Sequence, residues 1–334
     1  MNGITPIRSF YTPSGRIIVS KTHDGHFIES TEMRDVTVDG KDHSEVREAL
    51  DPLVVWRHLA PVDEKWLLTV STQVGCPYKC KFCDVAKLGF QRSLSVEEML
   101  EQVELLVRST PEIKASGTRK AKIGFARMGE PMCNLENVLK AIDCLKGGRG
   151  LGKIDWLPCF NSIVPNVVQH GGERIHGLDA LGLVIDAKEN EKWNGRMHVQ
   201  ISCNSTDEAK RRELFGGAGV VPINMIIESI AERRITNRTI TLNFIAMRGV
   251  EVSVDKLLKF GLSPEKFAVK LIPLNKTNNA AEHGLESEFN YKNIERMHEL
   301  GEEFRVAGIP VVTDVVARCE EASLCCGMLV REYW

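Results

Sequence analysis

The sequence predicts an α/β fold: a parallel sheet with helices outside it, preceded by a small N-terminal β extension. Three observations predict it. From Trp66 onward, short apolar strand-like runs alternate with amphipathic helix-like runs in about six units. The chain has 334 residues, enough for one α/β barrel with an appendage or for two smaller domains. Its composition, 43% hydrophobic and 26% charged, is that of an ordinary folded chain and not of a disordered one.

The elements follow in order. Residues 1–65 are polar and turn-rich, and RIIVSKTHDGHFIES reads as two short strands around an Asp24-Gly25 turn. Residues 32–65 are less regular, with a short helix expected near EVREALDPL. WLLTVSTQV is a strand running into a cysteine-rich loop. SVEEMLEQVELLVRS is a helix, opened by a capping box of Ser95 with Glu98. KIGFARM is a strand, LENVLKAIDCLKG a helix and WLPCFNSIV a strand. Residues 165–195 break the pattern with Gly171-Gly172 and DAKENEKWNGR, and read as an insertion. RMHVQIS, TITLNFIAM and FAVKLIPLN are strands, with helices at DEAKRRELF, INMIIESIAERR, VDKLLKF and NYKNIERMHELGEEFRVAG. PVVTDVV is a last short strand.

Bulk properties narrow the function. The net charge is −2, so tight nonspecific nucleic-acid binding gets no support from overall charge. RKAK at 119–122 and KRR at 210–212 are short basic clusters, of the kind that usually form solvated faces. No apolar run approaches the ~20 residues of a membrane span. MNGITPIRSFYTPSGR lacks the apolar stretch of a signal peptide, so a soluble, cytoplasmic protein with no membrane partner is expected. In that compartment most of the ten cysteines are expected to be thiols, ligands or catalysts.

In parallel α/β folds, ligands sit beyond the C-terminal ends of the strands. The polar candidates fall there. The cysteine loop follows the first strand of the alternation, and MGEP, with Gly129 and Glu130, follows the second. Ser202 and Asn204 end RMHVQIS, and Asn275 ends FAVKLIPLN. The loop itself, GCPYKCKFCDV, places Cys76, Cys80 and Cys83 within eight residues, beside the aromatic Phe82. A closed structural zinc site takes four ligands, and a second C-x-x-C knuckle is not visible. Three thiolates can instead hold three corners of a 4Fe–4S cube and leave its fourth iron for a substrate.

The spacing C-x₃-C-x-φ-C after a first barrel strand resembles the radical SAM superfamily. That resemblance implies a partial (β/α)₆ barrel, a 4Fe–4S cluster on Cys76, Cys80 and Cys83, and S-adenosylmethionine (SAM) chelated at the open iron. Electron transfer from the reduced cluster then releases a 5′-deoxyadenosyl radical, with a flavodoxin or ferredoxin as the expected one-electron donor. Gly129 and Glu130 match the segment that contacts the SAM amino group, chemistry that suits carbonyls and a carboxylate.

A closer resemblance is to the RlmN/Cfr branch of RNA adenine methyltransferases. STQVGCPYKCKFCDVAKLGFQRSLSVEEMLEQV, RMGEPMCNLENVLKAID, VQISCNSTDEAKRREL, FAVKLIPLN and CCGML carry it. It implies SAM contacts at Phe82, Ser202, Asn204 and Asn275, with Asn204 standing where the branch usually has histidine. It implies that Cys326 is a methyl carrier: methylated by one SAM, then attacked by the radical from a second, and joined through its methyl carbon to an sp² carbon of adenine. Otherwise Cys326 is a buried small hydrophobe. Glu29 matches a glutamate that accepts the substrate proton; otherwise it is a solvated strand residue. The expected organisation is an extension with insertion at 1–65, the partial barrel at 66–318 and a segment carrying Cys326 at 319–334.

Three features depart from that branch. Its second essential cysteine, seven residues before the first cluster cysteine, is here Thr69, which cannot form a disulfide. Cys203, Cys319 or Cys325 must then resolve a thioether crosslink, or none forms. The helical accessory domain of the RNA-modifying members has no counterpart in residues 1–65, and the acidic balance offers no obvious RNA platform. The leading expectation is a methyltransferase of this type with RNA as its default substrate. The alternative is a divergent radical SAM enzyme acting on a small molecule, nucleotide or peptide. A noncatalytic iron–sulfur or zinc protein is the third class.

Overall fold

Alternating burial marks the strands. In Phe267–Pro273, residues Phe267, Val269, Leu271 and Pro273 are buried and the residues between them are not, the period-two pattern of a strand with one covered face. The computed structural model describes residues 3–34, 55–116, 120–146, 151, 154–290, 292–313 and 326–334. The helix expected at EVREALDPL and the thiols Cys319 and Cys325 lie outside the described residues. Contacts group the chain into two units. One comprises Met1–Pro77, Asp84–Cys159 and Ala317–Trp334; the other comprises Tyr78–Cys83 and Phe160–Val316. The expected boundaries at 65 and 318 divide the sequence by its patterning, whereas contacts divide it differently.

In the first unit β1 (Thr5–Thr12), β2 (Gly15–Lys21) and β3 (Phe27–Arg34) form an antiparallel meander. β4 (Trp66–Val70) runs antiparallel to β3 with Thr31 opposite Thr69. β5 (Gln73–Gly75) and β6 (Phe90–Ser93) pair with each other and bracket the cysteine loop in the chain. β7 (Ala121–Phe125) lies parallel to β4, and the start of β8 (Trp156–Ser162) parallel to β7. The helix Val96–Arg108 buries Met99, Val103 and Leu106; Trp66, Leu68, Ile123 and Phe125 are buried in the same unit. Each such side chain contributes about 1.5–3 kcal/mol by leaving water. The capping box is present: Ser95 Oγ accepts from Glu98 N at 3.2 Å, and Glu98 accepts from Ser95 N at 2.9 Å. β1 is an element the sequence reading missed. It is an exposed edge strand whose residues carry no apolar alternation.

In the second unit β9 (Val167–His170) and β10 (Glu173–His176) form a hairpin about Gly171-Gly172, both at positive φ. The helix Gly177–Glu189 follows. The insertion read at 165–195 is therefore only the hairpin; the helix continues the β/α alternation, its apolar run masked by polar flanks. β11 (His198–Ser202), β12 (Ile240–Ala246), β13 (Phe267–Pro273) and β14 (Val311–Thr313) are parallel neighbours in that order. The helix Ile223–Ala231 buries Ile223, Ile226, Ile227 and Ile230. β4, β7, β8, β11, β12 and β13 each lead into a helix, which is the six-unit α/β architecture the sequence predicts. No helix among the described residues is long and apolar enough to cross a membrane.

Candidate functional site

The cysteine loop is built from backbone contacts. Gly75, at φ +75°, ends β5, and a Cβ there would lie 1.8 Å from the Gly89 carbonyl oxygen, so only glycine fits. Cys76 N donates to that same carbonyl at 2.8 Å. The remainder of the loop is seated within the second unit. Lys81 N donates to Leu214 O at 2.8 Å, and the Phe82 ring meets Phe215 edge-on at 5.9 Å. Asn279 Nδ2 donates to Cys80 O at 2.8 Å and to Cys83 O at 3.1 Å, while Thr277 Oγ1 donates to Phe82 O at 3.0 Å. These two residues follow Asn275 in the chain. The sequence named Asn275 and missed them; their spacing beyond the strand end was the only available signal. Cys76, Cys80 and Cys83 are each partly exposed.

Among the described residues no three His, Cys, Asp or Glu side chains converge on a point for one metal ion. A 4Fe–4S cube asks for a different arrangement, with each thiolate on its own iron. Replacing Asn279 by alanine removes two hydrogen bonds at once, a loss of about 1–3 kcal/mol of loop order. Asn279→Ala is expected to fold and reconstitute, but to lose iron to a chelator about ten-fold faster than wild type. Iron retention over time checks it.

Gly129 and Glu130 belong to the first unit. Gly129 has φ +98°, and a Cβ there would strike the Gln73 side chain at 2.6 Å. Gln73 Oε1 accepts from Glu130 N at 2.9 Å, and Glu130 Oε1 accepts from Met132 N at 3.1 Å, capping the short helix Pro131–Asn134. The carboxylate expected to meet an ammonium is thus buried and fixed at the C-terminal end of β7.

Ser202, Asn204 and Asn275 belong to the second unit. Ser202 closes β11 and stands opposite Asn243 of β12, which stands opposite Lys270 of β13. Asn204 is 1% exposed with φ +63°, and its Oδ1 accepts from Ile245 N at 3.1 Å. Its Nδ2 is buried without a hydrogen-bond partner, and so is Asn243 Oδ1. An unmet donor just beyond β11 and an unmet acceptor at the middle of β12 fit a polar ligand such as SAM. Asn243 is a candidate contact that sequence reasoning missed, because it lies inside the apolar-looking run TITLNFIAM.

Other readings change. Cys203 is 0% exposed, and burial pushes its thiol up to about 12, only partly offset by the charge of Arg211. That thiol stays protonated at pH 8, which suits it poorly to resolve a crosslink. Iodoacetamide at pH 8 is expected to spare Cys203 in the native protein and to modify it after denaturation; peptide mapping checks this. Thr69 shares a short hydroxyl hydrogen bond with Thr31. Arg211 of the KRR cluster is not solvated: its guanidinium donates to Val221 O at 2.8 Å and Ile163 O at 3.0 Å and is 0% exposed. Glu29 is not a solvated strand residue either. It is 0% exposed, paired with Arg127 at 2.9 Å, and it accepts from the backbone of Gly327, Leu329 and Val330. The structure thus brings Glu29 to the segment that carries Cys326, which is itself partly exposed.

No family model matches the chain. It is 28% identical over 282 residues to the dual-specificity RNA methyltransferase RlmN of Helicobacter hepaticus, covering 82% of this chain and 66% of that protein. It is 27% identical over 275 residues to a probable enzyme of the same name from a Synechococcus species, covering 81% and 71%. With a Prochlorococcus marinus relative it shares 29% identity over 57% of this chain and 48% of that one. The chain thus spans about half to two thirds of the length of the curated relatives it matches. In structure it is similar to a radical SAM methyltransferase from Sphaerobacter thermophilus, with a TM-score of 0.65, 21% identity and coverage of 97% and 80%, which shows the fold. The resemblance to RlmN is borne out by these curated relatives, and the α/β fold by the solved structure.

Proposed function

We propose, from this RlmN-like relationship, that the chain is a radical SAM methyltransferase whose Cys326 carries the transferred carbon. The observation that supports it is the C-x₃-C-x₂-C loop at the end of the first parallel strand, its backbone clasped from Cys80 to Cys83 by Asn279 and Thr277. Cys76, Cys80 and Cys83 would hold a 4Fe–4S cluster. With SAM bound, that cluster supplies a 5′-deoxyadenosyl radical when reduced by a flavodoxin or ferredoxin type donor. Phe82, Gly129, Glu130, Ser202, Asn204 and Asn275 would bind and orient SAM, with Asn243 added from its unmet acceptor.

Cys326 takes a methyl group from a first SAM. The thiol would give up its proton, its sulfur would form the new S–C bond as the sulfonium S–CH₃ bond breaks, and S-adenosylhomocysteine would leave. The radical from a second SAM would take one hydrogen atom from that S-methyl group and leave as 5′-deoxyadenosine, and the S–CH₂ carbon would add to an sp² centre. The adduct would then give up one electron and one proton, and cleavage of its S–CH₂ bond would free the product. The relatives' names point to RNA as the substrate. One observation favours a second reading, a small molecule or peptide substrate. Thr69 holds the position of the resolving cysteine and is hydrogen-bonded to Thr31, so the RlmN route from crosslink to product has no thiol there. Anaerobic incubation of reconstituted protein with SAM and dithionite tests the proposal. Release of 5′-deoxyadenosine together with S-adenosylhomocysteine is expected; 5′-deoxyadenosine alone favours the second reading, and neither product refutes both.

A further inference from the structure

Glu29 poses a problem that its expected role does not solve. A fully buried carboxylate is costly unless it is paired and its lone pairs are met. Here Oε1 accepts from Leu329 N at 3.1 Å and Val330 N at 2.9 Å, and Oε2 accepts from Gly327 N at 3.1 Å and Arg127 Nε at 2.9 Å. Three of its four hydrogen-bond donors are thus main-chain groups of the C-terminal segment, some 300 residues away in the chain. They close over the charge as backbone N–H groups close over a bound anion. The rest of the segment packs on the same unit. Tyr333 meets Phe27 at 5.1 Å, Trp334 meets His26 at 6.2 Å, and Glu332 lies 3.9 Å from Arg8.

Gly327 fixes the point of closest approach. It has φ +84°, and a Cβ there would lie 2.8 Å from both the nitrogen and a methyl carbon of Val85. Val85 belongs to the short helix Asp84–Lys87, which begins immediately after Cys83 in the chain. Cys326, the neighbour of Gly327, is therefore held against the segment that ends the cysteine loop.

We propose that Glu29 and Arg127 form a buried charge clamp that docks the C-terminal segment and presents Cys326. They are positioning residues, acting through the tail backbone, and this role rests on the reading of Cys326 as methyl carrier. It differs from proton acceptance, which calls for a carboxylate facing substrate, whereas this one is surrounded by four N–H donors. Glu29→Gln keeps the size and an acceptor, but it turns an amide NH₂ toward Arg127 and the tail.

Hydrogen exchange on the purified protein tests the clamp without turnover. In Glu29→Gln the peptide covering 326–334 is expected to exchange at least about ten-fold faster than in wild type, the equivalent of one lost hydrogen bond to a charged group. Peptides from β7 and β12 should keep their protection. Gly327→Val, which breaks docking from the tail side and leaves the ion pair in place, should loosen the same peptide. After reconstitution and exposure to SAM, methyl gain at Cys326 should fall at least about ten-fold in both variants while iron content matches wild type. Unchanged exchange in both variants overturns the clamp. Faster exchange with undiminished methyl gain overturns the presenting role. A wild type that never gains methyl, yet shows the expected exchange pattern, leaves the clamp standing and removes the carrier reading instead.

Discussion

Alanine in place of Cys76, Cys80 or Cys83 is expected to leave a folded protein that binds no stable iron–sulfur cluster and makes no 5′-deoxyadenosine from SAM. Contacts other than the thiols hold the loop in place. Cys76 N is held by Gly89 O, Lys81 N by Leu214 O, and Phe82 packs among Leu214, Phe215 and their neighbours. Asn279 and Thr277 clasp the carbonyls of Cys80, Phe82 and Cys83. Removing one sulfur therefore deletes a ligand and spares the seat. A cube left with two thiolates is open to hydrolysis and loss. The expected drop in 5′-deoxyadenosine is at least about 10³-fold, the scale on which losing one member of a catalytic unit registers. Absorbance after anaerobic reconstitution, iron content and product analysis report it. The thermal transition of each variant should stay close to that of the wild-type apoprotein.

Cys326→Ala is expected to separate the two halves of the chemistry. The cluster should load as in wild type, and 5′-deoxyadenosine should still form, because Cys326 is not part of the cysteine loop. The protein's gain of one methyl group from SAM should vanish, and methylated product should fall by at least about 10³-fold. Intact-protein mass and peptide mapping of the 326–334 segment read this out. Cys326→Ala alters only the thiol, so it leaves intact the three backbone donors that Gly327, Leu329 and Val330 offer Glu29. Tail docking and tail chemistry thus come apart experimentally: Glu29→Gln attacks the first and Cys326→Ala the second.

Much of the scaffold could be read from residues alone, because local signals agreed with the fold. WLLTV, KIGF and ITLNFIA fall in β4, β7 and β12, and Ser95 with Glu98 capped its helix as the motif demands. The elements missed are those whose reason to exist lies elsewhere in the chain. β1 owes its strand to seven backbone pairs with β2, not to any pattern of its own. The helix after β9 and β10 was hidden by the hairpin that separates it from β8.

Within the candidate site, the cysteine spacing and the positions at strand ends were legible, since topology puts such residues together by default. What was not legible depends on distant partners. Nothing in NKTNNAAE says that Thr277 and Asn279 reach back nearly 200 residues to Phe82, Cys80 and Cys83. Nothing in KRR says that the middle arginine is buried on two carbonyls. Glu29 was found by resemblance, but its partners could be found only in three dimensions.

The central claim is that three thiolates in one loop leave an iron of the cluster vacant for the amino and carboxylate groups of SAM. Low-temperature electron paramagnetic resonance of the reduced, reconstituted protein tests it most directly, recorded with and without SAM isotopically labelled at those groups. The account predicts a changed cluster spectrum on adding SAM, with hyperfine couplings from the labelled atoms. A spectrum indifferent to SAM, without coupling to its amino or carboxylate atoms, would contradict it.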